Sequence, residues 1–176
     1  MEIHRFEKVW TALAILLIVG FISTIVYGAV GPGIQMIDQS GGTVDADLIS
    51  DGAYDQVSNF EEPTQLAQHV EGDRYEAYVV ASRFRFNPGS TNPLTIPAGS
   101  TVTLYVTSPD VMHGFEVVGT NVNTMVLPGQ VSQMTVEFDD PATYSIVCNE
   151  YCGNAHHLME GSIEVVPQSE FENMEG

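Results

Sequence analysis

The segment Ser100–Thr107, STVTLYVT, alternates apolar and polar side chains along its whole length. Val102, Leu104 and Val106 fall on one face, and the opposite face is polar or aromatic, which is the pattern of a half-buried strand. The same period of two recurs in Val131–Phe138. Further strand candidates lie at Glu76–Ala81, Phe115–Val118, Val122–Val126, Thr143–Val147 and Ser162–Val166. Short strands separated by proline- and glycine-containing turns predict a mainly β protein, a β-sandwich of two packed sheets.

A long apolar run precedes these strands. No charged residue occurs from Val9 to Ile37, and a helix needs about 20 apolar residues to cross a bilayer. A cleaved signal peptide usually has a shorter apolar run followed by a small-residue cleavage site. A lipoprotein signal needs a cysteine just after the run, and none is there. A buried core helix of this length is a weaker alternative, because Trp10 and Tyr27 lie near its two ends, as interfacial aromatic residues of a membrane span do. We therefore predict one uncleaved transmembrane helix over residues 9–30.

The charges around this run predict its orientation. Arg5 and Lys8 lie just before it, and the next Lys or Arg is Arg74. By the positive-inside rule, residues 1–8 form a short cytoplasmic N-terminus and the C-terminal domain lies outside the cell membrane.

The rest of the chain divides by composition. Residues 31–72 are rich in Gly, Asp, Ser and Gln and predict a linker, in which Glu61–Val70 could form a short helix. Residues 73–166 hold the strand candidates and predict the folded domain. Residues 167–176 predict a frayed acidic tail.

The protein is strongly acidic. It has 23 Asp and Glu against five Lys and Arg, a net charge of −18. This charge excludes a general nucleic-acid binder, which needs a basic surface. An acidic face for a cationic partner, ordinary solubility and adaptation to high salt all remain open. The spread of the acids along the domain favours solubility or salt adaptation over one docking patch.

Both cysteines lie in one loop candidate, between the strand candidates Thr143–Val147 and Ser162–Val166. The segment Cys148–Met159 reads CNEYCGNAHHLM, and it gathers two thiols, an imidazole at His156 and a thioether at Met159. Copper favours this set of soft and borderline ligands. A further donor is His113, on another interstrand loop that a Greek-key sandwich could bring to the same end.

Two other readings compete with copper. The cysteines could form an extracellular disulfide, but a bridge closing so short a loop would stabilise the fold weakly. Cys148, Cys152, His113 and His156 could hold structural zinc, but a closed tetrahedral site leaves Met159 without a role.

The second cysteine bears on the number of metal ions. A mononuclear blue-copper site uses one cysteine, whereas two thiolates can bridge two copper ions, each with one histidine. Such a site offers no open position for a substrate, so it favours electron relay over catalysis.

The segment from Cys148 to Met159, with His113 in a Ser-Pro-Asp-x-x-His-Gly-Phe setting, resembles the binuclear copper-A loop of cytochrome c oxidase subunit II. The resemblance covers about residues 81–166 and includes Leu127-Pro128-Gly129. It implies a cupredoxin-like Greek-key domain and two copper ions. The implied side-chain ligands are His113, Cys148, Cys152, His156 and Met159, with the main-chain carbonyl of Glu150.

The resemblance also implies how the ligands divide and which ion lies nearby. His113 and Met159 would bind one copper, and His156 with the Glu150 carbonyl would bind the other. In many relatives the glutamate side chain at this place approaches a magnesium ion at the subunit I interface, which makes Glu150 a candidate for that contact. His157, directly after His156, is a local ambiguity that family spacing resolves in favour of His156.

The family implies a function. The chain would be the electron-entry subunit of a terminal cytochrome c oxidase, without an oxygen-reducing site of its own. It would take electrons from cytochrome c or a small blue-copper protein and pass them to haem in subunit I. Phe84 and Phe86 are candidates for an apolar donor-contact patch. A single span points to the B-type (ba-type) oxidases.

Two relatives of the motif offer alternatives. Nitrous oxide reductase carries the same copper site, but this chain has no room for its propeller domain. A membrane-anchored copper-delivery protein of the Sco type also has one span and a Cys-x-x-x-Cys motif. Such proteins usually place proline after the second cysteine and the histidine far downstream, whereas here Gly153 follows Cys152 and His156 is close.

Overall fold

The computed structural model describes residues 4–30, 37–38 and 41–175. The chain divides into two units, residues 1–34 and residues 35–176. The first unit contains helix α1 (Arg5–Val30), of which Arg5–Val26 is long and apolar enough to cross a membrane. Its hydroxyl side chains donate back to the helix, as Thr11 does to the carbonyl of Glu7 and Ser23 to that of Val19. These polar groups are therefore satisfied without water, as a bilayer requires.

The second unit is mainly strand. In chain order its elements are β1 (Ile37–Asp38), α2 (Ala46–Asp51), β2 (Gln68–Glu71), β3 (Arg74–Ser82), β4 (Arg85–Asn87), β5 (Leu94–Pro97), β6 (Thr101–Thr107), β7 (His113–Val117), β8 (Asn123–Val126), β9 (Ser132–Glu137), β10 (Ala142–Val147), β11 (Glu160–Val166) and α3 (Gln168–Glu175). Single 3₁₀ turns lie at Tyr54–Gln56 and His156–Leu158.

The strands form two sheets, as the alternating pattern predicts. The first has the order β1-β9-β6-β3-β2, with β4 also paired to β3, and the second has the order β5-β11-β10-β7-β8. The pairs β3–β6 and β5–β11 are parallel, and the others are antiparallel. The chain passes between the two sheets repeatedly from β4 to β10, while β7–β8 and β10–β11 are hairpin neighbours in one sheet, and this gives the expected sandwich.

The core lies between the sheets. Val102, Leu104 and Val106 of β6 are fully buried, and Leu104 pairs in register with the buried Met134 of β9. The predicted apolar faces of both strands are therefore confirmed. Burial of apolar surface at about 25 cal/mol per Å² makes this layer the main source of the domain's stability.

The prediction for residues 31–72 needs correction where the structure describes them. Glu61–Val70 is not a helix: its end belongs to edge strand β2, and Leu66 forms a bridge with Thr95 of β5. Residues 44–60 are not a free linker either, because Val44, Ile49 and Phe60 are buried against the outer face of the first sheet. Residues 31–36 and 39–40 of the expected linker lie outside the described residues.

The expectation of a frayed tail is also wrong. Residues 168–175 form α3, and Phe171 is fully buried with its ring edge-on to Tyr75 at 5.4 Å. The amide of Gln168 donates to the hydroxyl of Tyr75 at 2.8 Å. The hydroxyl of Ser100 donates to Gln168 Oε1 at 3.2 Å. One apolar anchor and two hydrogen bonds thus hold an otherwise acidic helix on the domain.

Candidate metal centre

Two neighbouring strands bring the predicted ligands together. Antiparallel β10 and β7 pair at Val147 and Glu116, so the chain that leaves β10 at Cys148 runs back along the beginning of β7, where His113 lies. The amide of Cys148 donates to the carbonyl of Met159 at 3.1 Å and closes the base of the loop. The loop is therefore held by rigid sheet at both ends.

The two sulfur atoms are the centre of the cluster. Cys148 Sγ and Cys152 Sγ lie 3.8 Å apart, and both residues are buried. A disulfide needs an S–S distance near 2.05 Å, so these are free thiols. The disulfide alternative is not what the structure contains.

Each cysteine sulfur lies beside one histidine nitrogen and one further donor atom. His113 Nδ1 lies 3.8 Å from Cys148 Sγ, and the carbonyl oxygen of Glu150 lies 3.2 Å from the same atom. His156 Nδ1 lies 3.6 Å and Met159 Sδ 3.7 Å from Cys152 Sγ. All six groups predicted from the sequence therefore meet at one place.

The donor chemistry fits copper. His113, Cys148 and Cys152 present ligand atoms within 4.8 Å of one another and are buried together. Two thiols, two imidazoles, a thioether and a carbonyl are more donors than the four of a closed zinc site, and soft sulfur ligands favour copper. Burial, and after it the neighbouring Cys148, raise the pKa of the Cys152 thiol to about 11. A cation is thus needed to keep the Cys152 thiol ionised at neutral pH.

Asp110 orients His113, a role that the sequence reasoning did not assign. Asp110 Oδ1 lies 2.9 Å from His113 Nε2, so a proton on Nε2 leaves the lone pair of Nδ1 facing the sulfur cluster. Burial raises the pKa of Asp110, but hydrogen bonds from His113 and from the backbone amides of Arg83 and Val111 outweigh it and leave the pKa lowered. Asp110 is therefore an ionised acceptor, and its only sequence signal is its place three residues before His113.

Asn149 locks the loop onto β7. Its side-chain amide donates to Glu116 at 2.9 Å and to Asn123 at 3.1 Å. Its side chain covers Gly114, where a Cβ atom would lie only 1.7 Å from Asn149 Oδ1. Gly114 is required here because the residue after one predicted ligand, His113, lies against the residue after another, Cys148.

The two adjacent histidines differ in position. His156 is half-buried beside Cys152, and His157 is exposed. The geometry therefore favours the same histidine as the spacing does.

The surface over His156 is apolar. Tyr151 is 72% exposed, with its ring 5.8 Å from that of His156, and Leu158 is 66% exposed. Sequence reasoning missed both, although two large apolar residues in a polar loop are a usable signal. Phe84 is half-buried, and its ring lies 3.1 Å from where a Cβ on Gly153 would stand. Phe86 is 1% exposed and packs edge-on against Phe115 in the core, so the expectation that it contacts a donor is wrong.

Comparisons with known proteins give relatives that cover most of the chain. The profile of the periplasmic domain of cytochrome c oxidase subunit II matches residues 74–166. A cytochrome c oxidase subunit 2 from Thermus thermophilus is 34% identical over 166 residues, which make up 93% of either chain. A chain of a haem-copper terminal oxidase dimer, solved by cryo-electron microscopy, is 36% identical with a TM-score of 0.63, covering 92% of this chain and 100% of that one.

A more distant structure supports the fold. The periplasmic domain of cytochrome oxidase subunit II from Bradyrhizobium japonicum is 19% identical with a TM-score of 0.52, covering 56% of this chain and 88% of that one. At that identity the likeness concerns the fold alone, and it agrees with the expected cupredoxin-like sandwich.

Proposed function

The chain belongs to the cytochrome c oxidase subunit II family, and on that premise we propose that electrons enter the oxidase through a binuclear copper-A centre in its Cys148–Met159 loop. The chain is then a component of an oxidoreductase complex and relays electrons without reducing oxygen itself. The proposed ligands are His113, Cys148, Cys152, His156, Met159 and the carbonyl of Glu150.

The observation that carries this proposal is the pair of thiols 3.8 Å apart, each with its own histidine nitrogen. Two thiolates at this separation suit two bridged metal ions better than one. Two copper ions that share both sulfurs would exchange a single electron with small changes in bond length. On the family's pattern, His113 and Met159 belong to one ion, and His156 and the Glu150 carbonyl to the other.

The protein's own residues exclude water and fix the donors. The two cysteines, His113 and Met159 are buried, so these donor atoms are shielded from solvent and from any substrate. Asp110 holds His113 in one tautomer, and Asn149 holds the segment that presents the Glu150 carbonyl. Rigid donors lower the reorganisation that each electron transfer requires.

The electron donor docks over His156 in this proposal. Tyr151, Leu158 and the accessible part of Phe84 offer an apolar contact beside a half-buried ligand. The donor is cytochrome c or a small blue-copper protein, and the acceptor is haem in subunit I. Glu150 lines an open cavity of about 200 Å³ with Asn123 and Asn149, and we place the magnesium contact at the subunit I interface there.

The membrane arrangement follows from α1. Arg5 and Lys8 lie at its N-terminal end, so we propose a cytoplasmic N-terminus, with the metal domain outside the cell membrane. The described residues contain one helix that could span a membrane, the arrangement that the family resemblance links to the B-type oxidases. A Sco-type delivery role is not supported, because the fold is a β-sandwich and the relatives are oxidase subunits.

Replacing each of the two adjacent histidines tests the ligand assignment. His156→Ala should abolish the visible absorption of the copper-loaded full-length chain and reduce bound copper, because it removes the nitrogen beside Cys152. His157→Ala, the matched control, should keep both, because that side chain is exposed. Copper analysis and absorption spectra measure both effects. Loss of copper and colour in His157→Ala but not in His156→Ala would identify His157 as the ligand.

A further inference from the structure

Positive charge is scarce in the sandwich domain, and one arginine, Arg83, contacts the metal loop. Beyond residue 30 the only Lys or Arg residues are Arg74, Arg83 and Arg85. Arg74 forms an exposed ion pair with Glu71 at 3.3 Å. Arg83 lies in the short connection between β3 and β4, Arg85 is the first residue of β4, and both are exposed.

Arg83 reaches the metal loop. Its Nε donates to the carbonyl oxygen of Cys152 at 3.2 Å, a contact between residues 69 positions apart. A Cβ on Gly153 would stand 3.9 Å from the same Nε and 3.1 Å from the ring of Phe84. The turn between β3 and β4 therefore lies directly against the second half of the loop.

The backbone of Arg83 reaches the first half of the site. Its amide donates to Asp110 Oδ2 at 2.8 Å, and the other oxygen of Asp110 lies 2.9 Å from His113 Nε2. A continuous chain of hydrogen bonds thus runs from His113 through Asp110 and Arg83 to Cys152. It joins the two parts of the ligand set from outside the loop.

We propose that Arg83 is a positioning residue of the metal centre and that it raises the reduction potential of that centre. The inference rests on the proposed function, since it concerns the copper-A site. The guanidinium draws electron density from the Cys152 carbonyl and adds a positive charge beside a centre that gains an electron on reduction. Both effects stabilise the reduced form. The rest of the domain surface, being acidic, acts in the opposite direction.

Arg85 provides the matched control. It carries the same charge two residues along the chain, and among the described residues no side-chain hydrogen bond from it is found. If only charge mattered, replacing either arginine would change the reduction potential equally. If the contact with Cys152 matters, replacing Arg83 changes the potential more. The variants Arg83→Gln and Arg85→Gln remove the same charge from neighbouring positions.

The test is redox titration of the copper-loaded full-length chain, followed by its visible absorption, for the wild type, R83Q, R85Q and R83K. R83Q should lower the equilibrium constant for accepting an electron roughly three- to tenfold, a tenfold change being about 59 mV for one electron. R85Q should change it clearly less. R83K, which keeps the charge and a donor, should restore at least half of the difference.

A second measurement on the metal-free chain follows the contact itself. The amide nitrogen of Gly153 belongs to the same peptide group as the Cys152 carbonyl, so its chemical shift should change in R83Q and not in R85Q. Three results would each overturn the proposal. They are a reduction potential in R83Q equal to that of the wild type, an equal change of potential in R83Q and R85Q, and a Gly153 amide chemical shift that is the same in R83Q as in the wild type. Failure of the wild type itself to give a binuclear copper spectrum would instead overturn the proposed function.

Discussion

At the residue scale, the site depends on close contacts that only small or uniquely placed side chains allow. Gly114 and Asn149 are the clearest pair, because the first has no room for a methyl group while the second covers it. Each follows a proposed ligand directly in sequence. Their contact therefore sets the spacing between His113 and Cys148.

Gly114→Ala tests this contact. The new Cβ would lie 1.7 Å from Asn149 Oδ1 and 2.9 Å from the backbone nitrogen of Asn149. The Cys148–Met159 loop must therefore move. We expect a loss of about 1–3 kcal/mol in the free energy of unfolding and weaker copper binding, measured by denaturant titration and copper titration.

The double variant G114A/N149A should recover part of that loss, because it removes the nearest overlapping atoms. Gly20→Ala is the control, since a Cβ there meets nothing within 4 Å, and it should leave copper binding unchanged. Wild-type stability and copper affinity in G114A would show that this contact does not matter.

The same scale explains which site residues the sequence could predict. The proposed ligands Cys148, Cys152, His156 and Met159 are close in sequence, so their joint spacing indicated a metal site. Arg83 is 69 positions from Cys152 and Asn149 is 33 positions from Glu116. No local pattern encodes such contacts, because they arise only when folding brings distant segments of the chain together.

At the element scale, alternation identified the strands that face the core on one side. It failed for β5, whose residues Leu94–Pro97 are all buried and therefore do not alternate. It failed for α3, where the single buried residue Phe171 gives no helical repeat. The segment over the outer face of the first sheet was missed because its few apolar residues are spread over residues 44–60.

The tyrosines under that segment give a pH prediction. Tyr78 and Tyr105 stack at 4.9 Å, and both hydroxyls donate to Glu76. Burial raises the pKa of Tyr78 above its usual value of 10.0, and the hydrogen bond to Glu76 raises it further. The unfolded chain then loses this proton at lower pH than the folded one, so the stabilisation is complete below about pH 10 and is lost as the pH rises.

Tyr78→Phe should therefore lower stability by about 1 kcal/mol near neutral pH and make it fall less steeply above about pH 10, by up to about 1.4 kcal/mol per pH unit. Denaturant unfolding of the full-length chain in detergent, followed by near-ultraviolet circular dichroism, measures both. Tyr151→Phe, at an exposed tyrosine, is the control and should have neither effect. Parallel pH curves for wild type and Y78F would contradict the assignment.

At the scale of the whole molecule, the net charge of −18 is the dominant property. Repulsion among so many carboxylates opposes the compact state, and salt screens it with a Debye length of about 10 Å at 0.1 M and about 3 Å at 1 M. We expect the free energy of unfolding to fall steeply when the protein is diluted from molar salt. A neutral osmolyte at matched osmotic strength is the control, and stability indifferent to salt would refute the high-salt reading.

The central claim is that two sulfur atoms hold two copper ions that share one electron. Metal analysis combined with electron paramagnetic resonance of the copper-loaded full-length chain tests it most directly. We expect two copper ions per chain, a purple colour and a hyperfine pattern of one unpaired electron shared equally by two copper nuclei. One copper per chain, a colourless Cu(I) protein or a Cys148–Cys152 disulfide in the native assembly would contradict it.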